Sequence, residues 1–167
     1  TKEMADQAYN ALNKARNSLI KVPALPKKGS THRVRTLYYK VTASTGKTKT
    51  VTVEKPLRKT YRKVTIPATV KIKGYTYKVT AIANKAFRKN TRMTSVIIGK
   101  NVTKIGRESF MGCKNLKKVT FKSKTIKSIG KNAFKNICKT AKIYVPKQKY
   151  KAYKRVLKKA KLSKSIK

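Results

Sequence analysis

Apolar and polar positions follow three different rhythms along this chain. Over residues 1–20, Met4, Ala8, Leu12, Ala15 and Leu19 recur near 3.6-residue spacing, which predicts an amphipathic helix. Glu3 and Asp6 sit in its first turns and Lys14 and Arg16 nearer its end, as the helix dipole favours. The stripe is mostly alanine, so this helix is marginal alone. It docks on the rest, pairs with another chain, or ends a preceding domain. Two prolines, a glycine and a serine in KVPALPKKGS then predict a linker over 21–32. From Arg33 the rhythm changes to a period of two. Leu37, Tyr39, Val41 and Ala43 alternate, Ser44 to Lys47 offers a turn, and Val51 and Val53 resume, the mark of a hairpin. Short apolar pairs follow, punctuated by Pro56, Pro67 and Gly74, so 33–78 reads as a β-meander.

A longer period takes over at residue 79. IANKAF (82–87), IGRESF (105–110) and IGKNAF (129–134) repeat at spacings of 23 and 24 residues. Each is followed by a second apolar group: Met93, Val96 and Ile98; Leu116, Val119 and Phe121; Ala141, Ile143 and Val145. Val102 and Ile126 form a third element ahead of the next copy. A period of 20–29 residues with one strand-like run and one short turn per unit is the signature of leucine-rich-repeat-type solenoids. One unit cannot bury its apolar side alone, whereas stacked units share a core. Phe87, Phe110 and Phe134 are therefore expected to form a ladder inside the stack.

After Pro146 the rhythm is helical again. Tyr150, Tyr153, Val156 or Leu157, and Ala160 share one face, with lysines elsewhere. Residues 147–160 are predicted to cap the open end of the stack, as a repeat array requires. A basic helix lying on a membrane surface is the other reading of this face. A basic tail, 161–167, ends the chain. The expected fold class is an α/β repeat solenoid: β-meander 33–78, repeats 79–146 and capping helix in one domain, 33–160.

Charge changes what this architecture is for. Lys and Arg number 46 against 4 acids, a formal charge of +42. Such imbalance repels itself and is tolerated where anions neutralise it. It points to a polyanionic partner: teichoic acid, glycan, glycosaminoglycan, anionic lipid or nucleic acid. Glu108 is the only acid after Glu54, and Lys outnumbers Arg there. Lysine is a hydrated point charge without the planar fork that reads bases, which favours diffuse attraction over sequence readout. Lysines and tyrosines interleave at 33–63 and 147–161, yet no nucleic-acid motif is present.

The repeats resemble the BspA-type leucine-rich repeats of bacterial surface and secreted proteins. VTKIGRESFMGCKNLKKVTF (102–121) is the closest copy, flanked by 79–101 and 126–146, with KVTIPATVKIKGYTYKVTAI (63–82) similar to the segment that leads into such arrays. Lys-rich VPKxKxKAYKxxL helices are familiar at the C-termini of Gram-positive gut-bacterial surface proteins. The resemblance implies an extracellular or surface setting and a role in adhesion or display. It implies no catalytic residue, because the motif is structural. The first copy departs from it with Ala83 for Gly and no Cys, and the last has Ile137 at the Cys position with Cys138 one place on.

Chemistry has little to work with. Cys113 and Cys138 lie 25 residues apart, and rungs about 5 Å apart suit a disulfide's Cα separation. Their one-residue offset turns the side chains apart, so two buried free thiols are expected. His32 falls in the linker, away from any thiol and acid for a nucleophilic triad. Glu54 and Glu108 lack the proximity that paired carboxylates need. No cofactor, metal or small-molecule substrate is implied. The expected function is a non-enzymatic surface or secreted module that binds an anionic polymer. Nucleic-acid binding and a purely structural spacer in a larger surface protein are the alternatives. The residues expected to carry the contact are Lys147, Lys149, Lys151, Lys154, Arg155, Lys158, Lys159 and Lys161 of the C-terminal helix, and Arg88, Lys89, Lys114 and Lys135 after the phenylalanine turns.

Overall fold

A computed structural model of the chain describes residues 2–19 and 23–159, the side chains of 16–19 and 158–159 excepted. The helix α1 spans Lys2–Leu19. Strands β1 (Thr31–Val34), β2 (Leu37–Ser44) and β3 (Lys49–Pro56) follow, then β4 (Lys63–Ile66), β5 (Thr69–Ile72) and β6 (Tyr75–Ile82). The repeats supply β7 (Ser95–Ile98), β8 (Lys104–Ile105), β9 (Lys118–Phe121), β10 (Ser128–Ile129) and β11 (Lys142–Tyr144). A 3₁₀ turn at Lys147–Lys149 leads into α2, Tyr150–Lys159.

These strands form two sheets. One runs β1-β2-β3-β6-β8-β10, with β5 also pairing β6, and the other runs β11-β9-β7-β4. Pairing is antiparallel in the β1–β2–β3 hairpins and parallel from β3 to β6 to β8 to β10 and from β4 to β7 to β9 to β11. Each unit thus gives one strand to each sheet, then turns back. The turns bond to one another too: the N–H groups of Lys85, Phe87 and Lys89 donate to the carbonyls of Arg107, Ser109 and Met111, and Glu108, Phe110 and Gly112 donate to Lys131, Ala133 and Lys135. The result is a leucine-rich-repeat-type fold of stacked rungs with a C-terminal helix.

The core is a set of ladders with one residue per rung. Val64, Val96, Val119 and Ile143 lie in register along one sheet, all buried. Phe87, Phe110 and Phe134 stack with ring centroids 5.1 Å apart and planes within 7°, which adds stacking to the burial of three aromatic rings. The sharp turns need two left-handed residues per unit, and they fall at equivalent places: Lys85, Glu108 and Asn132, then Lys89, Gly112 and Asn136. A Cβ on Gly106 would stand 2.5 Å from the Ala83–Asn84 backbone, and one on Gly130 2.5 Å from Arg107. That contact explains the glycine of the repeat. Ala83 opens the first copy, where the chain below is the extended strand β3, whose Val53 carbonyl accepts the Ala83 N–H.

Several expectations shift. The run 33–78 is not a single meander, because β4 leaves it to become the first strand of the repeat sheet. The linker is shorter than 21–32: Gly29 N–H already bonds the Val41 carbonyl, and His32 lies in β1, its Nε2 2.8 Å from Ser30 Oγ. Only one of the two cysteines is buried. Both are free, with Cys113 enclosed and Cys138 half-buried. Ile137 fills the inward place in the last turn and packs against the core. In α2 the inward residues are Tyr153 and Leu157. Tyr153 meets Phe121 edge-on at 5.1 Å and donates its hydroxyl to the Ser123 carbonyl, whereas Tyr150, expected on that face, is exposed. Ala160 and the tail 161–167 lie outside the described residues. Along α1, Met4, Tyr9 and Leu12 are all exposed.

Candidate basic binding surface

The lysine positions follow from strand alternation. In β4, β7, β9 and β11 one set of side chains enters the core, so the intervening set faces outward. Lys63, Ser95, Lys118 and Lys142 stand opposite one another in successive strands, and Thr65, Ile97, Thr120 and Tyr144 form the next row. All three lysines are exposed. Neighbouring strands lie about 4.8 Å apart, so this sheet presents a row of ammonium groups at rung spacing with one gap, at Ser95. The Lys118 ammonium also lies 5.1 Å from the Tyr144 ring centroid, close enough for a cation–π contact. These positions were not singled out from the sequence. Their signal was the outer place in KVTI, KVTF and KIYV, read there only for its apolar half.

The residues expected to bind are distributed differently. Lys89, Lys114 and Lys135 are exposed on the turns, but they occupy three different places in the repeat. Counting from each phenylalanine, Lys135 takes the place of Met111 and Arg88, Lys89 that of Gly112 and Asn136, and Lys114 that of Thr91. They form no row. Arg88 is not a free cation: it is half-buried and lies 3.3 Å from Glu108. On the last rung Lys147, Lys149, Lys151, Lys154 and Arg155 are exposed, and Arg155 borders an open groove with Lys127 and Ser128. The side chains of Lys158 and Lys159, and the whole of Lys161, lie outside the described residues.

The two thiols differ in chemistry. Burial pushes the Cys113 thiol up to about 11, and its S–H donates to the Phe87 carbonyl. The hydroxyl of Thr140 beside Cys138 holds that thiol below its usual value. Among the described residues no group of three or more His, Cys, Asp or Glu side chains is placed to hold a metal ion. No helix among them is long and apolar enough to cross a membrane.

Comparison with known proteins agrees with this architecture. A family model described as "BspA type Leucine rich repeat region (6 copies)" matches residues 80–167. A leucine-rich cell surface protein from Faecalibacterium prausnitzii is similar in structure, with a TM-score of 0.58 and 28% identity over 70% of this chain. The match covers 30% of that protein, so the chain spans less than a third of it. A leucine-rich repeat protein from Bacteroides capillosus gives a TM-score of 0.59 and 29% identity over 71% of this chain and 83% of its own. The leucine-rich repeat protein of T. pallidum shares the fold at 21% identity and a TM-score of 0.54, over 70% of this chain and 50% of its own. No curated protein matches the sequence significantly.

Proposed function

Because the chain belongs to the BspA-type leucine-rich repeat family, we propose that it is a non-enzymatic, surface-displayed or secreted module that holds an anionic polymer against its lysine-bearing faces. The repeat sequence is spent on packing, and what it leaves variable is the outer residue of each strand and turn. In this chain lysine fills three of the four places in one outer row of the sheet. The observation that carries the reading is the row Lys63, Ser95, Lys118 and Lys142 on one parallel sheet. Glu108, the one acid among the repeats, is engaged by Arg88 and neutralises none of that row.

In this reading the rungs form a short solenoid and α2 caps its last rung through Tyr153 and Leu157. A polymer of regularly spaced sulfate, carboxylate or phosphate groups lies along the stack and meets an ammonium on every rung but that of Ser95. The exposed lysines of α2 extend the same field. Binding of this kind is driven by counterion release and weakens steeply with salt.

The test is a salt titration of binding to heparin, to wall teichoic acid and to duplex DNA. Retention of heparin or teichoic acid near about 0.15 M salt, where exposed charges are screened beyond roughly 8 Å, supports the proposal and names the polymer. Preference for DNA replaces it with nucleic-acid binding. Equal binding to all three that vanishes with salt leaves a structural spacer in a larger surface protein.

A further inference from the structure

The first strand of the repeat sheet has one side unoccupied. β4 ends the β11-β9-β7-β4 sheet, and among the described residues no strand pairs with its far side. Main-chain groups alternate sides along a strand. The Arg62 carbonyl accepts N–H groups of Thr94 and Ser95 at the β7 side, so Val64 and Ile66 continue the pairing with β7. Lys63 and Thr65 turn their N–H and C=O groups the opposite way. Both residues line a cleft of about 660 Å³, together with residues of β5 and the β1–β2 turn.

The walls of this cleft define its occupant. Leu37, Tyr39 and Val70 supply an apolar floor, and Arg35, Lys63 and Lys71 line it without a single acid. Tyr39 is 2% exposed, and burial pushes its phenol up to about 12. An open edge is a template for strand addition. A second copy of this chain is a poor partner, since each copy carries +42. The volume suits about four residues of extended chain, a usual strand length.

We propose that the free edge of β4 is a docking site for an acidic, extended peptide, which adds to the sheet as a fifth strand. Its main chain pairs with Lys63 and Thr65, alternate apolar side chains enter the cleft, and its carboxylates meet Arg35, Lys63 and Lys71. Main-chain bonds supply affinity and the pockets between them supply selectivity, as in other strand-addition sites. This inference does not depend on the polymer-binding reading, although Lys63 takes part in both.

The experiment is fluorescence anisotropy with a labelled octapeptide of alternating Glu and Val. It is compared with the same peptide N-methylated at alternate amides, and with heparin. On the protein side, Thr65→Pro removes an N–H that faces the cleft and leaves the β7 pairing intact, as an edge proline does. Thr65→Ala is the control. Expected are saturable binding of the Glu/Val peptide, a loss of about tenfold or more on N-methylation or with Thr65→Pro, equivalent to about 1.4 kcal/mol, and unchanged binding with Thr65→Ala. Heparin binding should be the same for Thr65→Pro and the wild type. If Thr65→Pro does not fold, the N-methylated peptide on the wild-type protein decides. Equal binding of the methylated and unmethylated peptides overturns the proposal, because charge alone then accounts for it. Loss of heparin binding with Thr65→Pro also overturns it and assigns the edge to the polymer.

Discussion

The carboxylate of Glu108 sits 3.3 Å from the guanidinium of Arg88, one rung up the stack. Both residues belong to turns that bond through their backbones, so the ion pair ties two units side chain to side chain. Partial exposure, 36% for the Arg88 side chain and 17% for Glu108, limits its worth to about 1 kcal/mol. Glu108→Gln is expected to lower stability by that order in urea denaturation at low ionic strength. The deficit should shrink as sodium chloride is added. A deficit that persists in high salt would assign the contact to packing instead of charge.

Glycine at the head of the turn is a matter of clearance. Gly106→Ala places a methyl group 2.5 Å from the Ala83 and Asn84 backbone, and the rungs must part to admit it. A cost of about 3 kcal/mol is expected, the upper end for overpacking. Ala83→Gly, at the equivalent place in the first copy, should cost about 1 kcal/mol, as a glycine in ordered backbone does. Thermal melts of the two variants give the comparison, and equal losses would refute the clearance argument.

The thiols separate by reactivity and by pH. At pH 8 in the native state a thiol reagent should label Cys138 quickly and Cys113 only on unfolding, since the reactive species is the thiolate. Cys113 is raised from 9.0 to about 11 in the fold. A proton held more tightly in the native state stabilises it below the unfolded value, and that contribution is lost as pH rises from about 9 to about 11. The difference in stability between wild type and Cys113→Ala should therefore move in favour of the variant over this interval. Lysine titration is common to both proteins and cancels.

The lysine row makes a graded forecast. Each lysine that contacts a nucleic acid phosphate contributes about one to the slope of log affinity against log salt, and other dense polyanions follow the same counterion physics. Lys118→Ala with Lys142→Ala should lower the slope for the bound polymer by about two. Ser95→Lys fills the gap in the row and should raise it by about one. Lys114→Ala, a turn lysine outside the row, should change it by less than either.

What could be read from the sequence was whatever repeats. The 23- and 24-residue spacing places Phe87, Phe110 and Phe134 in one ladder, and their rings do stack. The C-terminal helix was legible from its apolar face, although Tyr150 points to solvent while Tyr153 and Leu157 turn inward. The position of β4 was not legible. KVTI has the same local pattern as the hairpin strands before it, and only its partner, SVII thirty-two residues later, assigns it to the other sheet. The lysine row was missed for the same reason. Lys63, Lys118 and Lys142 are far apart in the chain, and the pairing register alone makes them neighbours. Arg88 counted as a free cation in the sequence because nothing local shows that Glu108 lies across the turn.

The rungs hold to one another through neighbouring strands and turns, and among the described residues each strand of the β4, β7, β9 and β11 sheet pairs only with its immediate neighbours. A pull applied to α2 along the stack axis therefore strips Tyr153 from Phe121 and Ser123 first, then loads the β11–β9 bonds and after them those of β9 with β7. The molecule yields as a zipper, one tooth at a time, at modest force. Each tooth lets out 23 or 24 residues, about 8 nm of extended chain. A stack with that behaviour lengthens in steps and absorbs work while its remaining rungs stay closed.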